Sequence, residues 1–462
     1  MTTERKEAAN SSSDVTRRTT CRACGGTDLH LFLDLGKLPL ANSFLTAAQL
    51  QQPEPKFPLE VFFCKSCTLV QLLHVVNPEV LFSHYLYRSG TSSTLAQHNE
   101  KLCESVCAEL KLTPKDLVVE IAGNDGSLLS WFKKKGIRTL GVEPAQNIAK
   151  IARETGIETL NEFFDAGVSE RVVAQYGEAS AVIGNNVLAH VDQTVAFLTA
   201  ARKMLKPGGR VIIEVPYLGE MLDKLEYDTI YHEHLCYFSV TALMRVFAEA
   251  GMHLDRVELV AIHGGSLRLW GKHKGEEVAS GPSAPLGTSE WRVASGKTQE
   301  TTGDEEHELG RPERLSGHGA TTLEFAEREK RAGMAGFARY QEFARLVQRQ
   351  REQLLALFDK LKKEGKTLAA YGAPAKGNTL LCYCSVGTEL VPYTVDASPL
   401  KVGLYCPGSH LPTSPTQRIF DEQPDYVLIL AWNFAPEIMK FLQPYKEKGG
   451  HFILPIPEPR IL

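Results

Sequence analysis

The chain has 462 residues, with 51 Lys and Arg against 55 Asp and Glu, a formal charge of −4 with histidine neutral. At about 150 residues per domain this length predicts roughly three domains, and 43% hydrophobic with 23% charged residues is a globular composition. The near-neutral balance argues against sequence-independent nucleic-acid binding. No run of about 18 apolar residues is present to span a membrane, and the polar start lacks a signal core, so a soluble cytoplasmic protein is expected.

Residues 1–20 are polar and Ser/Thr-rich, which predicts a disordered tail. From Cys21 to about residue 80 the chain is dense in Gly, Pro and short apolar runs around two C-x-x-C pairs, Cys21/Cys24 and Cys64/Cys67. Ten cysteines are too sparse for a disulfide scaffold in a chain this long, and four thiolates in two knuckles suit one closed, structural Zn²⁺ shell. The 39 residues between Cys24 and Cys64 make a long gap for such a module. A redox pair fits less well, because CRACGG runs into a glycine turn rather than a helix.

Residues 81–115 read as a helical lid or linker. Within it Tyr85, Tyr87, Arg88 and Ser89 combine aromatic, cationic and hydroxyl groups, as a cover over a polar substrate would; an amphipathic linker is the plainer reading. A parallel βαβ texture then begins: DLVVEIA, the turn GNDG, the helix SLLSWFKKKG and the strand RTLGVEP. Further strands are expected at ASAVIGNN, GRVIIEVPYL, HLDRVELVAIH and SLRLWGKH, the last two as an antiparallel hairpin. Residues 275–320 have few aliphatics and no periodicity and are expected to be a disordered insertion; 321–365 read as a helical linker, and 366–462 as a second, smaller Rossmann-like sheet that binds substrate.

In a doubly wound sheet the ligand lies outside the carboxyl ends of the strands. The first turn here is Ala122-Gly123-Asn124-Asp125-Gly126, preceded by Glu120, and the second strand ends at Glu143, where a carboxylate can hold the ribose hydroxyls of an adenosine. G-x-G-x-x-G is missing, so a dinucleotide fits less well than S-adenosylmethionine. LKPGG before a strand and the terminal hairpin complete the pattern of an α/β class I methyltransferase fold, a doubly wound sheet with an N-terminal four-cysteine zinc module and a C-terminal Rossmann-like domain. The fourth strand ends in Asn185-Asn186 on the cofactor side, with His190 shortly after, and Tyr231-His232-Glu233-His234 follows the fifth strand. Histidine, with an ordinary pKa near 6.5, can remove the proton that methyl transfer to oxygen or carbon displaces. A metal held by His232, Glu233 and His234 is the alternative, and a helix-capping role is open for His190. In the last domain AYGAPAKGN opens a helix, so that Lys376 and the helix amides can hold a nucleotide diphosphate; Asn378 and Asp396 belong to the same loop region, which is otherwise a plain βα turn.

Taken together, CRACGG, LDLGKLPLANSFL, FFCKSCTLVQL, YLYRSGTS, VEIAGNDGSLL, YHEHLCYFS, HGGSLR, AAYGAPAKGNTLL and VLILAWNFAPEI resemble the S-adenosylmethionine-dependent sugar C-methyltransferases over about nine tenths of the chain. The resemblance implies methylation at carbon 3 of a 4-keto-6-deoxysugar carried on a nucleoside diphosphate. It implies His234 as the base, Tyr231 and Glu233 assisting or orienting it, and His190 and Tyr85 stabilising the enolate or holding the sugar. O- or N-methylation of another metabolite, and a non-catalytic nucleotide-sugar binder, are the competing functions. Two departures from the family stand out: EIAGNDG replaces EIGSNDG, so that Ala122 occupies a glycine position and is expected to crowd the methionine moiety, and residues 275–320 replace a short connection.

Overall fold

The computed structural model describes residues 15–82, 90, 93–262, 264–276 and 321–462. Tyr85, Tyr87, Arg88 and Ser89, nearly all of the 275–320 insertion and most of the N-terminal tail lie outside the described residues. The end of that tail is ordered, contrary to expectation: Val15–Arg17 pairs antiparallel with His74–Val76, because the latter strand offers an otherwise open edge.

The central sheet has seven strands in the order Met252–Val260, Ser266–His273, Leu205–Pro216, Ala179–Asn185, Leu117–Ile121, Arg138–Val142, Thr159–Leu160. Ser266–His273 runs antiparallel between two strands of the common direction. All five residues of Leu117–Ile121 are buried, as expected of a strand covered on both faces. Alternation divides them: Leu117, Val119 and Ile121 join one core cluster, Val118 the other. The LKPGG segment, expected before the strand, is instead its first part, with the register shift of a bulge between Leu205 and Arg210.

The N-terminal module is a four-stranded antiparallel sheet ordered Cys236–Tyr237, Val70–Leu72, Phe57–Cys64, Leu29–Leu38. Its edge strand is thus contributed by the segment just after the Tyr231–His234 run. Cys21, Cys64 and Leu69 belong to the same core as the central sheet, and Arg22 pairs with Asp192 at 3.0 Å. The module is welded to the methyltransferase fold.

The helices Thr322–Arg331 and Phe337–Lys363 fall where helical spacing places them. The second is a core element rather than a mere linker: Tyr340, Phe343, Val347, Leu354 and Phe358 are buried between the N-terminal module (Leu33, Val61, Phe63) and the last sheet (Leu368, Ala370, Leu428). That last sheet is ordered Thr413–Ser414, Thr394–Val395, Leu368–Tyr371, Tyr426–Ile429, His451–Leu454, Arg460–Ile461, and only its final strand is antiparallel. Among the described residues no helix is long and apolar enough to cross a membrane.

Candidate active site

At the carboxyl ends of the central strands lies a cleft of about 1130 Å³ that reaches the last domain. Its floor is the predicted turn. Ala122, Asn124 and Gly126 all adopt left-handed backbone (φ 54°, 47° and 74°), folding the chain sharply between the strand Leu117–Ile121 and the helix Ser127–Lys134. Asn124 N–H donates to Glu143 Oε2 (3.0 Å) and Ala145 N–H to Oε1 (2.9 Å), so Glu143 holds the turn while lining the cleft. Each of its oxygens keeps a second lone pair for a ligand hydroxyl. Ala122, Gly123 and Asn124 also line the cleft, whereas Asp125 accepts Gly90 N–H (3.0 Å) and Gly126 packs over Ile157. These last two shape the turn without lining the cleft.

Glu120 is 5% exposed, and its Oε2 has no hydrogen-bond partner among the described residues; the same holds for Asn185 Oδ1. Burial, with the charges of Asp125 and Glu143, pushes the Glu120 carboxyl far above its ordinary range. A knot of carboxylates with unspent acceptors suits a ligand carrying a sulfonium and an ammonium, so these residues fit S-adenosylmethionine. Asn185 and Asn186 complete that wall.

The Tyr231–His234 run divides in two. Tyr231 and His234 line the cleft, their rings 4.1 Å apart, and His190 meets His234 edge-on at 4.9 Å. His234 Nδ1 lies 2.9 Å from the carbonyl oxygen of Thr229. A carbonyl can only accept, so Nδ1 carries the proton and Nε2 the lone pair. Burial, reinforced by His234, holds His190 well below the ordinary histidine range, leaving it neutral. His232 and Glu233 turn to the N-terminal module instead: His232 Nε2–H donates to Phe57 O (3.0 Å), burial lowers its pKa to about 4, and Glu233 Oε1 accepts from Asn42 Nδ2 (2.7 Å). The alternative of a metal on His232, Glu233 and His234 is therefore overturned, because their partners diverge. Phe82 also lines the cleft, its ring 5.5 Å from that of His190.

On the far wall Lys376 and Asp396 line the cleft, with Ser398 and Lys401 beside them. The helix there starts at Ala375, within the AYGAPAKGN segment. Asn378 is 1% exposed and donates to Ala41 O (2.8 Å), tying the last domain to the N-terminal module outside the main cleft. Asp396 accepts Ala373 N–H (2.7 Å) and Ser398 N–H (2.8 Å).

The four cysteine sulfurs lie within 4.8 Å of one another, with Cys21–Cys67 at 3.5 Å and Cys24–Cys64 at 3.7 Å. A tetrahedral Zn²⁺ with bonds of about 2.3 Å separates its sulfurs by about 3.8 Å, so the set fits. Gln71 Nε2–H donates to Cys21 Sγ (3.1 Å) from the strand that pairs with Cys236–Tyr237.

Three domain families match in series: "Putative zinc binding domain" over residues 21–82, "Methyltransferase domain" over 95–257 and "C-methyltransferase C-terminal domain" over 312–457. The C-methyltransferase NovU of Streptomyces niveus is 36% identical over 442 residues, 96% of each chain. The chain belongs to this family of C-methyltransferases. It is an S-adenosylmethionine-dependent methyltransferase with a zinc-binding N-terminal module. Solved structures that resemble part of it include magnesium protoporphyrin IX methyltransferase from Synechocystis with bound S-adenosylmethionine (14% identity, 39% of this chain and 79% of that one, TM-score 0.30). Another is an S-adenosylmethionine-dependent methyltransferase from Clostridium acetobutylicum (14% identity, 39% and 92%, TM-score 0.32).

Several cleft residues of this C-methyltransferase escaped the motif reading. Glu214, 2% exposed, accepts from His98 (2.8 Å) and from Arg268 Nε (2.7 Å); these bonds lower its pKa against the effect of burial. Its signal was present in the sequence as a lone carboxylate in the apolar run RVIIEVP. Asn42 and Glu226 also line the cleft, without any motif to mark them.

Proposed function

We propose that the protein transfers a methyl group to carbon 3 of a 4-keto-6-deoxysugar linked to a nucleoside diphosphate, in the cytoplasm. The observation that carries this reading is the continuity of the cleft: one space is lined by the cofactor turn, by Tyr231, His190 and His234, and by Lys376 and Asp396 of the last domain. A small metabolite methylated beside the cofactor would have no need of the distant wall.

S-adenosylmethionine, when bound, supplies the methyl group as a sulfonium. His234 Nε2 takes the proton from the carbon next to the ketone, and Thr229 O steadies the resulting imidazolium through Nδ1–H. Neutral His190 beside it can donate a hydrogen bond to the enolate oxygen without competing for the proton. Tyr231 packs at a tilt against the base and restricts its ring, and Glu233 holds the loop to Asn42. Tyr85 is assigned to the sugar with Tyr87, Arg88 and Ser89, and Lys376 with the amides at its helix start is assigned to the diphosphate. Asp396 and Asn378 support that loop.

The test is mass spectrometry after incubation with S-adenosylmethionine and a panel of nucleotide-linked 4-keto-6-deoxysugars in deuterated water. A gain of one CH2, or cofactor-independent deuterium uptake beside the ketone, is the expected result. Cofactor binding with neither change overturns the substrate class, and O- or N-methylation or a binding role then takes its place.

A further inference from the structure

The carbonyl that fixes the His234 tautomer belongs to the last residue of a single short turn, Tyr227–Thr229. Thr229 closes that turn by donating its N–H (3.1 Å) and Oγ1–H (2.7 Å) to Glu226 O. A three-residue 3₁₀ turn has little stability of its own, and here both side chains between these ends are gripped from the C-terminal half. Tyr227, 0% exposed, donates its hydroxyl to Gln350 Oε1 (2.6 Å), and its ring lies 5.5 Å from that of Tyr383. Gln350 is in turn bonded to the carbonyl of Pro455. Asp228, 0% exposed, accepts Trp432 Nε1–H at 2.6 Å, with the Lys376 ammonium 4.3 Å from the centre of the indole. Trp432 is not one of the residues lining the cleft.

We propose that Trp432, acting through Asp228, is a positioning residue for the catalytic base: the C-terminal half holds the Tyr227–Thr229 turn so that the Thr229 carbonyl keeps Nδ1 of His234 protonated and Nε2 basic. The inference rests on His234 being the base. The physical reason is the asymmetry of buried hydrogen bonds. A buried carboxylate that loses its donor must find another or move, and because Asp228 also interacts with the backbone of Thr229, with Lys376 nearby, a shift of its carboxylate is passed to the adjacent residue. The two neutral tautomers of an imidazole are set by what its nitrogens meet, so displacement of the Thr229 carbonyl weakens the preference for the Nδ1–H form. The C-terminal half thereby becomes part of the proton-transfer machinery as well as a wall for substrate.

The test uses the full chain with Trp432→Phe, which keeps an aromatic ring and removes the N–H together with part of the indole. Nitrogen-15 spectra of the histidine rings, with the His234 signals identified by their loss in His234→Gln, should change from one Nδ1–H tautomer to a mixture. Turnover should drop tenfold or more, with KM for the sugar nucleotide within twofold and cofactor affinity unchanged. Asp228→Asn, which keeps an acceptor for the indole, should retain the single tautomer and most of the turnover. A single tautomer with wild-type turnover in Trp432→Phe overturns the proposal, as does a loss confined to KM, which would make the indole a substrate contact. If Trp432→Phe fails to fold, Tyr227→Phe releases the same turn at its other tie and is read in the same way. The spectra need no substrate. A tautomer shift with no turnover on any 4-keto sugar therefore upholds the positioning role and overturns the proposed substrate.

Discussion

Glu226→Gln is expected to flatten the pH dependence of stability just above neutrality. The Glu226 carboxyl is 4% exposed and rests against the backbone of Gly264, where a Cβ would lie 2.8 and 2.9 Å from its two oxygens. Burial, then the charge of Asp228, pushes its pKa up to about 8, against the pull of Lys224 and Lys376 and with Glu220 adding to the push. An acid raised in this way binds its proton more tightly in the folded chain than in the unfolded one. Its contribution is therefore complete at low pH and is lost as pH climbs from the unfolded value towards about 8, at about 1.4 kcal/mol per pH unit. Other groups define the window. His190 and His232, held low by burial, add stability as pH rises to the ordinary histidine value. Buried thiols such as Cys103 and Cys382, raised to about 12, begin to cost stability once unfolded thiols ionise. Between about pH 6.5 and 8, Glu226 should then contribute a loss on the order of 2 kcal/mol. The assay is the urea midpoint against pH for both proteins, in which the raised carboxyls common to both cancel in the difference. Parallel profiles across that window would refute the burial of a proton on Glu226.

Three further substitutions or removals have defined outcomes. Ala122→Gly removes a left-handed alanine; relief of about 1–2 kcal/mol of steric strain, less about 0.4–1 for the added freedom of the unfolded chain, leaves a small stabilisation, visible as a higher urea midpoint, with tighter cofactor binding by calorimetry. Asp192→Ala leaves the fully buried Arg22 guanidinium without its carboxylate. Because Asp192 is itself 27% exposed, the expected loss is about 2–3 kcal/mol, below the range for a wholly buried pair, measured by denaturation. Chelation of zinc should unfold the N-terminal module and abolish turnover in parallel, because the Cys64–Cys67 knuckle is followed directly by Val70–Leu72, which pairs with Cys236–Tyr237 beside His234. Full activity of a metal-free protein would sink that coupling.

The central sheet was legible because its strands announce themselves locally. DLVVEIA, ASAVIGNN and RVIIEVP are apolar runs of strand length between turn residues, and burial on both faces demands such runs. The cysteine cluster was legible for the same reason, since each knuckle is four residues long and only one ion joins the pair. The strand Val15–Arg17 was not, for its three residues in a polar stretch become a strand only because His74–Val76 presents an edge. Nor was the place of Phe337–Lys363: its period reveals a helix with an apolar stripe, but which two surfaces the stripe joins is a matter of tertiary contact.

The run Tyr231-His232-Glu233-His234 marks the boundary between the two kinds of information. Composition identified four proton-handling groups together beside the cofactor edge, and two of them, Tyr231 and His234, line the cleft. What it left open was direction. An extended segment would send His232 and His234 to one face, but His234 N–H closes a turn onto Tyr231 O (2.9 Å), so that Tyr231 and His234 come together while His232 and Glu233 face the N-terminal module. The partners that enforce this, Phe57 for His232 and Asn42 for Glu233, lie 175 and 191 residues away in the chain. The role of each residue in the run is thus assigned by the two flanking modules: the zinc-binding sheet takes His232 and Glu233, and the C-terminal half steadies the turn that orients His234. A methyltransferase core separated from both would keep the residues of the motif and lose the geometry on which the proposed role of His234 as base depends.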